Sequence, residues 1–286
     1  MKNIIFFIDA QKNPSGGGKV IYKYSNYINS LKNFSSAIVH LKKKKLKKFF
    51  ESFDKKLHRK KIFSGWDVKD LEVKKNYFFS WFNVKVNLKN NLNFDRKKDF
   101  VILPEIFAHF AEELLVRQKI PYAIFVQNGY SIFPTNNFSK LKIAYSHAKF
   151  ILSYSKDIRQ CISLAFPNRK SKILDVVCAV DPKKFNDKTK KQNLITYMPR
   201  KLRKHSELLN FFVKNRLPKK WKIQPIENVN ETEVSKILNK SKVFLSFSEL
   251  EGLGIPPIEA ALAGNKVIGY TGESGKEYWK KPIFTS

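Results

Sequence analysis

The stretch Ser246-Phe247-Ser248-Glu249-Leu250-Glu251-Gly252-Leu253-Gly254-Ile255-Pro256-Pro257-Ile258-Glu259-Ala260-Ala261-Leu262-Ala263-Gly264 decides the fold. Just ahead of it, Val243-Phe244-Leu245 is a short apolar run of the kind a parallel sheet hides on both faces. Two glycines flanking one residue come next, then a Pro-Pro pair. The second proline suits a first helical position, where its missing N–H does no harm. Ile258, Leu262 and the alanines between them carry the helix on, and Gly264 can end it. Lys266-Val267-Ile268-Gly269-Tyr270 reads as the following strand. The unit is therefore strand, glycine-rich loop, helix, strand. Its loop falls at the carboxyl end of a strand and the amino end of a helix, where open α/β sheets bind anionic ligands.

Two carboxylates frame that loop. Glu251 precedes the first glycine, and Glu259 is expected in the first turn of the helix. Glycines let backbone N–H groups approach a ligand closely, and the helix dipole favours phosphate. Carboxylates repel phosphate but accept hydrogen bonds from sugar hydroxyls, so the pairing suggests one ligand that carries both, such as a nucleotide sugar. The competing reading leaves Glu259 as a complement to the helix dipole and Glu251 as a solvated loop residue.

The segment Glu251 to Glu259, with Ser246 and Ser248 before it and Ala260 to Gly264 and Val267-Ile268 after it, resembles the E-x7-E segment of the family-4-type retaining glycosyltransferases. Those enzymes have the GT-B fold, two Rossmann-like domains facing a cleft. The resemblance implies that Glu251 contacts the hydroxyls of the donor sugar and Glu259 those of the ribose. It also implies that backbone at Gly252, Leu253, Gly254 and Ile255 meets the sugar or the diphosphate. No metal or other cofactor is implied, in keeping with the lack of an Asp-x-Asp motif.

Length and composition set the frame for this reading. The 286 residues suffice for one large or two modest domains, and a 43% hydrophobic content with 25 Phe supplies buried cores. The formal net charge is +31, which points to nucleic acid, to an anionic membrane surface, or to a lysine-biased composition. Lysine greatly outnumbers arginine, whereas readers of nucleic acid lean on bidentate Arg, so nucleic acid is the least favoured. Cys161 and Cys178 have no metal-binding spacing and read as small buried hydrophobes in a reducing cytoplasm. No run of eighteen apolar residues suggests a membrane span. Ile4 to Ile8 is too short for a signal segment and suits a first buried strand.

After that strand comes Gly16-Gly17-Gly18, read as a turn at the ligand-facing edge, followed by helical spacing at Val20, Tyr24, Tyr27, Ile28 and Leu31. The spelling is not G-x-G-x-x-G, so no dinucleotide fingerprint is present. The resemblance implies that Gly17 and Gly18 lie near the donor phosphates, and the alternative is a flexible turn that needs positive φ. Residues 41–61 are the most basic piece. Leu46, Phe49, Phe50, Phe53 and Leu57 recur at helical steps among lysines, predicting an amphipathic cationic helix able to lie on anionic lipid or to pack Phe inward under a solvated face. Residues 65–93 read as irregular or short-strand structure.

Phe100 to Leu103 is a strand, and residues 106–119 look helical, with His109 on that helix. Gln127-Asn128-Gly129-Tyr130 follows the strand Pro121 to Val126. The family often uses a first-domain histidine near the acceptor, which makes His109 an acceptor-side candidate, weighed against an ordinary structural histidine. Asn128 is the other acceptor-side candidate, since polar groups at a strand's carboxyl end are placed to touch ligand.

The first domain is expected over residues 1–178, a polar linker over 179–192, and a nucleotide-sugar-binding second domain over 193–286. The linker resembles the family's G-V-D-x-x-x-F link, with Ala179 where glycine is usual. The second domain opens with Leu194-Ile195-Thr196-Tyr197, followed by Arg200, Lys201 and Lys204. Cations there can neutralise a diphosphate leaving group. The resemblance implies an Arg and a Lys in that role, Arg200 with Lys201 or Lys204. Family members usually continue past the point matching Ser286, so the second domain is expected to be truncated.

The reading that results is a GT-B glycosyltransferase that moves a sugar from a nucleotide diphosphosugar to a glycan or lipid-linked acceptor, with retention and without metal. Its rivals are a nucleotide-sugar epimerase of the same architecture and an inactive protein that binds membrane or nucleic acid through charge.

Overall fold

The computed structural model of the protein describes residues 2–13, 15–44, 67–82, 84–132, 137–213 and 215–286. Two compact units emerge, one of Met1–Ser153 with Gln160–Asp175, the other of Tyr154–Arg159 with Val176–Ser286. Each is an α/β unit built on its own mainly parallel sheet, as the alternating apolar runs and amphipathic helices require.

The first sheet contains β1 (Lys2–Asp9), β2 (Phe34–Lys43), β3 (Leu71–Val73), β4 (Asn87–Leu88), β5 (Asp99–Pro104), β6 (Tyr122–Val126), β7 (Phe150–Ser153) and β8 (Ile173–Asp175). Its order is β3-β2-β1-β5-β6-β7-β8, with β4 beside β2. All pairs are parallel except β2–β3. The order reverses direction at β1, so β1 and β5 border a topological switch point. Phe6, Phe7, Val101, Leu103, Ile124 and Phe125 bury the centre of this sheet.

Three expectations for this unit change. The three glycines form the first turn of α1 (Gly16–Asn29) and not a loop ahead of it. Ser15 caps that helix, its side chain accepting from Gly18 N at 3.1 Å, and none of the three has positive φ. Ser15→Ala is expected to cost about 1 kcal/mol, read from the denaturation midpoint; an unchanged midpoint would remove the cap's role. Leu41, Lys42 and Lys43 extend β2, and the remainder of the expected cationic helix, residues 45–61, lies outside the described residues. The helix expected over 106–119 is instead a 3-10 helix, Glu105–Phe110, and a π-helix, Glu112–Val116, with residues 117–119 in a turn.

Part of the irregular stretch 65–93 has a packing role. Phe79 stacks on Tyr22 of α1 at 4.7 Å between ring centroids, and its N–H donates to the Tyr22 hydroxyl at 3.1 Å. The helices α2 (Phe138–His147) and α3 (Lys156–Ala165) follow. Ser155 caps α3, accepting from Ile158 N at 3.1 Å.

The second sheet contains β9 (Leu194–Tyr197), β10 (Lys222–Pro225), β11 (Val243–Glu251), β12 (Lys266–Glu273) and β13 (Phe284–Thr285), ordered β10-β9-β11-β12-β13 and parallel throughout. Its helices are α4 (Arg203–Val213), α5 (Glu231–Lys240) and α6 (Ile255–Leu262). The switch point lies between β9 and β11. Phe185, Leu238, Phe244, Ala260 and Val267 form its core, so Phe185 of the stretch 179–192 packs inside this unit. Lys191 of the same stretch donates to the carbonyls of Ser241, at 2.9 Å, and Ala263.

Candidate active site

The deciding stretch folds differently from the plain strand–loop–helix expectation. Ser246 to Glu251 continue as strand, so only Gly252, Leu253 and Gly254 connect β11 to α6. The polar residues stay in strand because β12 pairs with them: Ser246, Phe247 and Ser248 face Gly269, Tyr270 and Thr271. The register then shifts between Ser248 and Glu251, and Leu250 takes φ +44°. An irregularity of this kind re-aims the side chains at a strand's end. Here it brings Glu251 opposite Glu273.

Gly254 caps α6 with φ +75°, a conformation that L side chains resist. Ile255 is the first helical residue, Pro256 the second and Pro257 the third, two places later than expected. Glu259 consequently falls in the second turn, not the first. It is buried. Gly252 and Gly254 are buried as well, whereas Leu253 and Ile255 are half-buried.

Beyond β9, the chain sends Arg200, Lys201 and Lys204 into solvent. Lys201 Nζ reaches Glu251 Oε1 at 3.4 Å. A cation just past β9 thus meets a carboxylate at the end of β11, across the switch point of the second sheet. A pair this open to water adds little to stability. What it fixes is position, an acid and a base at the sheet edge where ligands of this architecture bind. Arg203, which the sequence did not single out, pairs with Glu227 at 2.7 Å and is thereby occupied.

A brace the sequence reading missed holds the connection from the far side. Ser274 donates to the carbonyl of Glu251 and sits 3.1 Å from Asp157 Oδ2. Tyr278 donates from its hydroxyl to Gly254 O at 2.9 Å. Burial, and then the charges of Glu251 and Glu277, push the Tyr278 phenol above its ordinary pKa, so it stays a donor at neutral pH. Gly272 lets Glu251 lie flat on β12, since a Cβ there would come within 3.3 Å of Glu251 Cγ. Ser248, Leu250, Gly272 and Tyr270, with Leu202 and His205, line an open cavity of about 690 Å³ at this edge.

The other candidates belong to the first unit. Gly17 and Gly18 are close-packed: a Cβ on Gly17 would lie 2.5 Å from Gln127 Oε1, and one on Gly18 would lie 2.8 Å from the Phe79 ring. Asn128 turns its side chain back to accept from Tyr130 N at 2.9 Å. His109 is buried and neither ring nitrogen has a hydrogen-bond partner. Burial and the nearby Lys140 charge depress its pKa to about 4, so the ring is neutral at pH 7. Among the described residues, no group of three or more His, Cys, Asp or Glu is arranged to hold a metal ion, and no helix is long and apolar enough to cross a membrane.

No sequence-family profile matches the chain. One curated relative, an α-1,6-glucosyltransferase of Actinobacillus pleuropneumoniae serotype 7, is 27% identical over 124 residues; the match spans 42% of this chain and 36% of that protein. Among solved structures, HepE of Anabaena in complex with UDP and glucose is similar at a TM-score of 0.60 and 10% identity, covering 100% of this chain and 86% of that one. TarM of S. aureus, in a complex that includes UDP, is similar at 0.63 and 11%, covering 99% and 88%. The lipopolysaccharide outer core galactosyltransferase WaaB is similar at 0.52 and 14%, covering 98% and 84%. The fold is that of the GT-B glycosyltransferases, as the resemblance at Glu251 to Glu259 implied.

Proposed function

We propose that the chain is a glycosyltransferase that moves a sugar from a nucleotide diphosphosugar to a glycan or lipid-linked acceptor, with retention of configuration and without a metal. The observation that carries this reading is the Lys201–Glu251 pair of 3.4 Å across the switch point of the second sheet. A similar solved structure adds support: HepE was solved with UDP-glucose, and with UDP and glucose. The partly matching relative is a glucosyltransferase.

In this reading the diphosphate meets the backbone N–H groups of Gly252 to Ile255 at the amino end of α6. Arg200 and Lys201, with Lys204 nearby, neutralise the charge that grows on the leaving diphosphate. Lys201 exchanges Glu251 for phosphate as donor enters, which frees the Glu251 carboxylate to accept from hydroxyls of the donor sugar. Glu259 accepts from the ribose hydroxyls. The departing phosphate takes the acceptor's proton, so no separate general base is required. Peripheral membrane contact through residues 41–61 belongs to the same proposal, with an acceptor presented at the bilayer.

Titration calorimetry with UDP-glucose and a GDP-sugar tests the reading. Wild-type protein is expected to bind one of them at micromolar Kd. Glu259→Ala should weaken that binding by roughly 10–100-fold, the loss of charge-assisted hydrogen bonds to a buried carboxylate. No nucleotide-sugar binding, together with salt-sensitive binding of DNA or RNA, would replace it with a charge-driven function.

A further inference from the structure

The proposed chemistry leaves Glu105 unexplained. It sits at the carboxyl end of β5, beside the switch point of the first sheet, and its side chain is buried. Both carboxylate oxygens are used: Oε2 accepts from Gln127 N at 3.0 Å and Oε1 from Asn128 N at 3.2 Å. The loop held in this way presents Gln127, whose Nε2 donates to Gly17 O at 3.1 Å. The same amide fills the space a side chain at position 17 would need. Glu105 is thus the anchor of a chain of contacts from β5 through the end of β6 to the first turn of α1.

We propose that Glu105 is a positioning residue: by clamping the Gln127 and Asn128 amides it sets the Gln127–Gly17 contact, and with it the first turn of α1 that carries Gly17 and Gly18, the donor-binding candidates of the first unit. The last step rests on the function proposed above; the clamp itself does not. Two consecutive N–H donors need two acceptor oxygens on one group, which a carboxylate supplies. A glutamine of the same shape offers one oxygen and turns an NH2 toward the second donor.

Retaining an acid here is unfavourable for the fold. Burial raises the Glu105 pKa to about 7, against the lowering effect of its backbone donors. A raised carboxyl pKa means that the protonated form stabilises the folded chain fully below pH 4.5 and that this contribution is lost as pH rises through about 7. Among the described residues, the titratable group that feels the Glu105 charge is Tyr145 of α2, whose phenol is raised by burial and then by that charge.

The test uses the full chain and its Glu105→Gln variant. At pH 8 the variant is expected to melt roughly 5 °C higher, with no gain at pH 5. At the same time hydrogen exchange at Gln127, Asn128 and the first turn of α1 should quicken, and UDP release from UDP-glucose should fall about tenfold in kcat. Gln127→Leu, which keeps the clamp but not the Gly17 contact, should reproduce the loss in kcat without the thermal gain. Exchange and turnover both unchanged in Glu105→Gln would overturn the proposal, as would a lower melting point with exchange raised throughout the chain. If wild-type protein releases no nucleoside diphosphate from either UDP-glucose or the GDP-sugar, the proposed function fails instead, and the exchange and melting results still decide the role of Glu105.

Discussion

Gly269→Ala removes at least about 3 kcal/mol from the second unit. Gly269 has φ +125°, and a Cβ built on it comes within 2.4 Å of the Ser246 carbonyl oxygen. That atom is backbone of the paired strand, Ser246 facing Gly269 in register, so no side-chain rotation relieves the clash. The remaining options are to distort φ or to part β11 from β12. Parting the strands also breaks the bond from Ser246 Oγ to Tyr270 O, 2.7 Å long. Thermal and denaturant melts of the variant check the expectation, and a loss below about 1 kcal/mol would show that the strands yield at little cost. Gly17→Ala is the contrasting case. There the obstructing atom is the end of a flexible glutamine side chain, so stability is expected to survive while the Gln127–Gly17 contact does not.

Lys201→Ala is expected to lower turnover about 100-fold, with donor affinity changed far less. A cation aimed at a leaving diphosphate acts mainly where charge has developed, in the transition state. Because Lys201 also faces Glu251, the variant leaves that carboxylate without its cation. The two residues should therefore be non-additive: Lys201→Ala combined with Glu251→Gln should lose much less than the sum of the single losses. Arg200→Ala, on an exposed residue, should behave like Lys201→Ala in kcat but add independently to Glu251→Gln. Steady-state rates of UDP release decide this. Equal losses in kcat and in affinity would reduce Lys201 to a general attractor of anions.

Sheet strands were legible wherever burial on both faces made the run continuously apolar, as at β1, β5, β6 and β9. The spacing from Glu231 to Lys240 predicts helix α5 with its observed ends, and Asn230 caps it, accepting from Glu233 N at 3.0 Å. The glycines of α1 were misread as a turn since intrinsic propensity puts Gly last among ordinary helix formers. The Ser15 cap and the close packing of Gln127 and Phe79 outweigh that preference, and none of those partners is near in sequence except Ser15. Likewise, Ser246 to Glu251 look like loop until β12 supplies hydrogen bonds. At the site, spacing alone placed Glu251 and Glu259 around a glycine hinge, but only the fold brings Lys201 to 3.4 Å from Glu251. Glu105 carried no signal: an acid after a strand reads as a cap, and its burial comes from elements more than twenty residues away.

The second unit is not one continuous length of chain, because Tyr154–Arg159 cluster with Val176–Ser286 while Gln160–Asp175 return to the first. The early piece, Tyr154–Arg159, supplies working parts: Asp157 meets Ser274, and Glu277 Oε2 accepts from Lys156 N at 3.1 Å. A recombinant second half begun at residue 176 would thus carry Ser274 and Glu277 without these partners, at the very brace beneath Glu251 and Gly254. One protease cut cannot release either half intact, because Tyr154–Arg159 belong to the second unit and Gln160–Asp175 to the first.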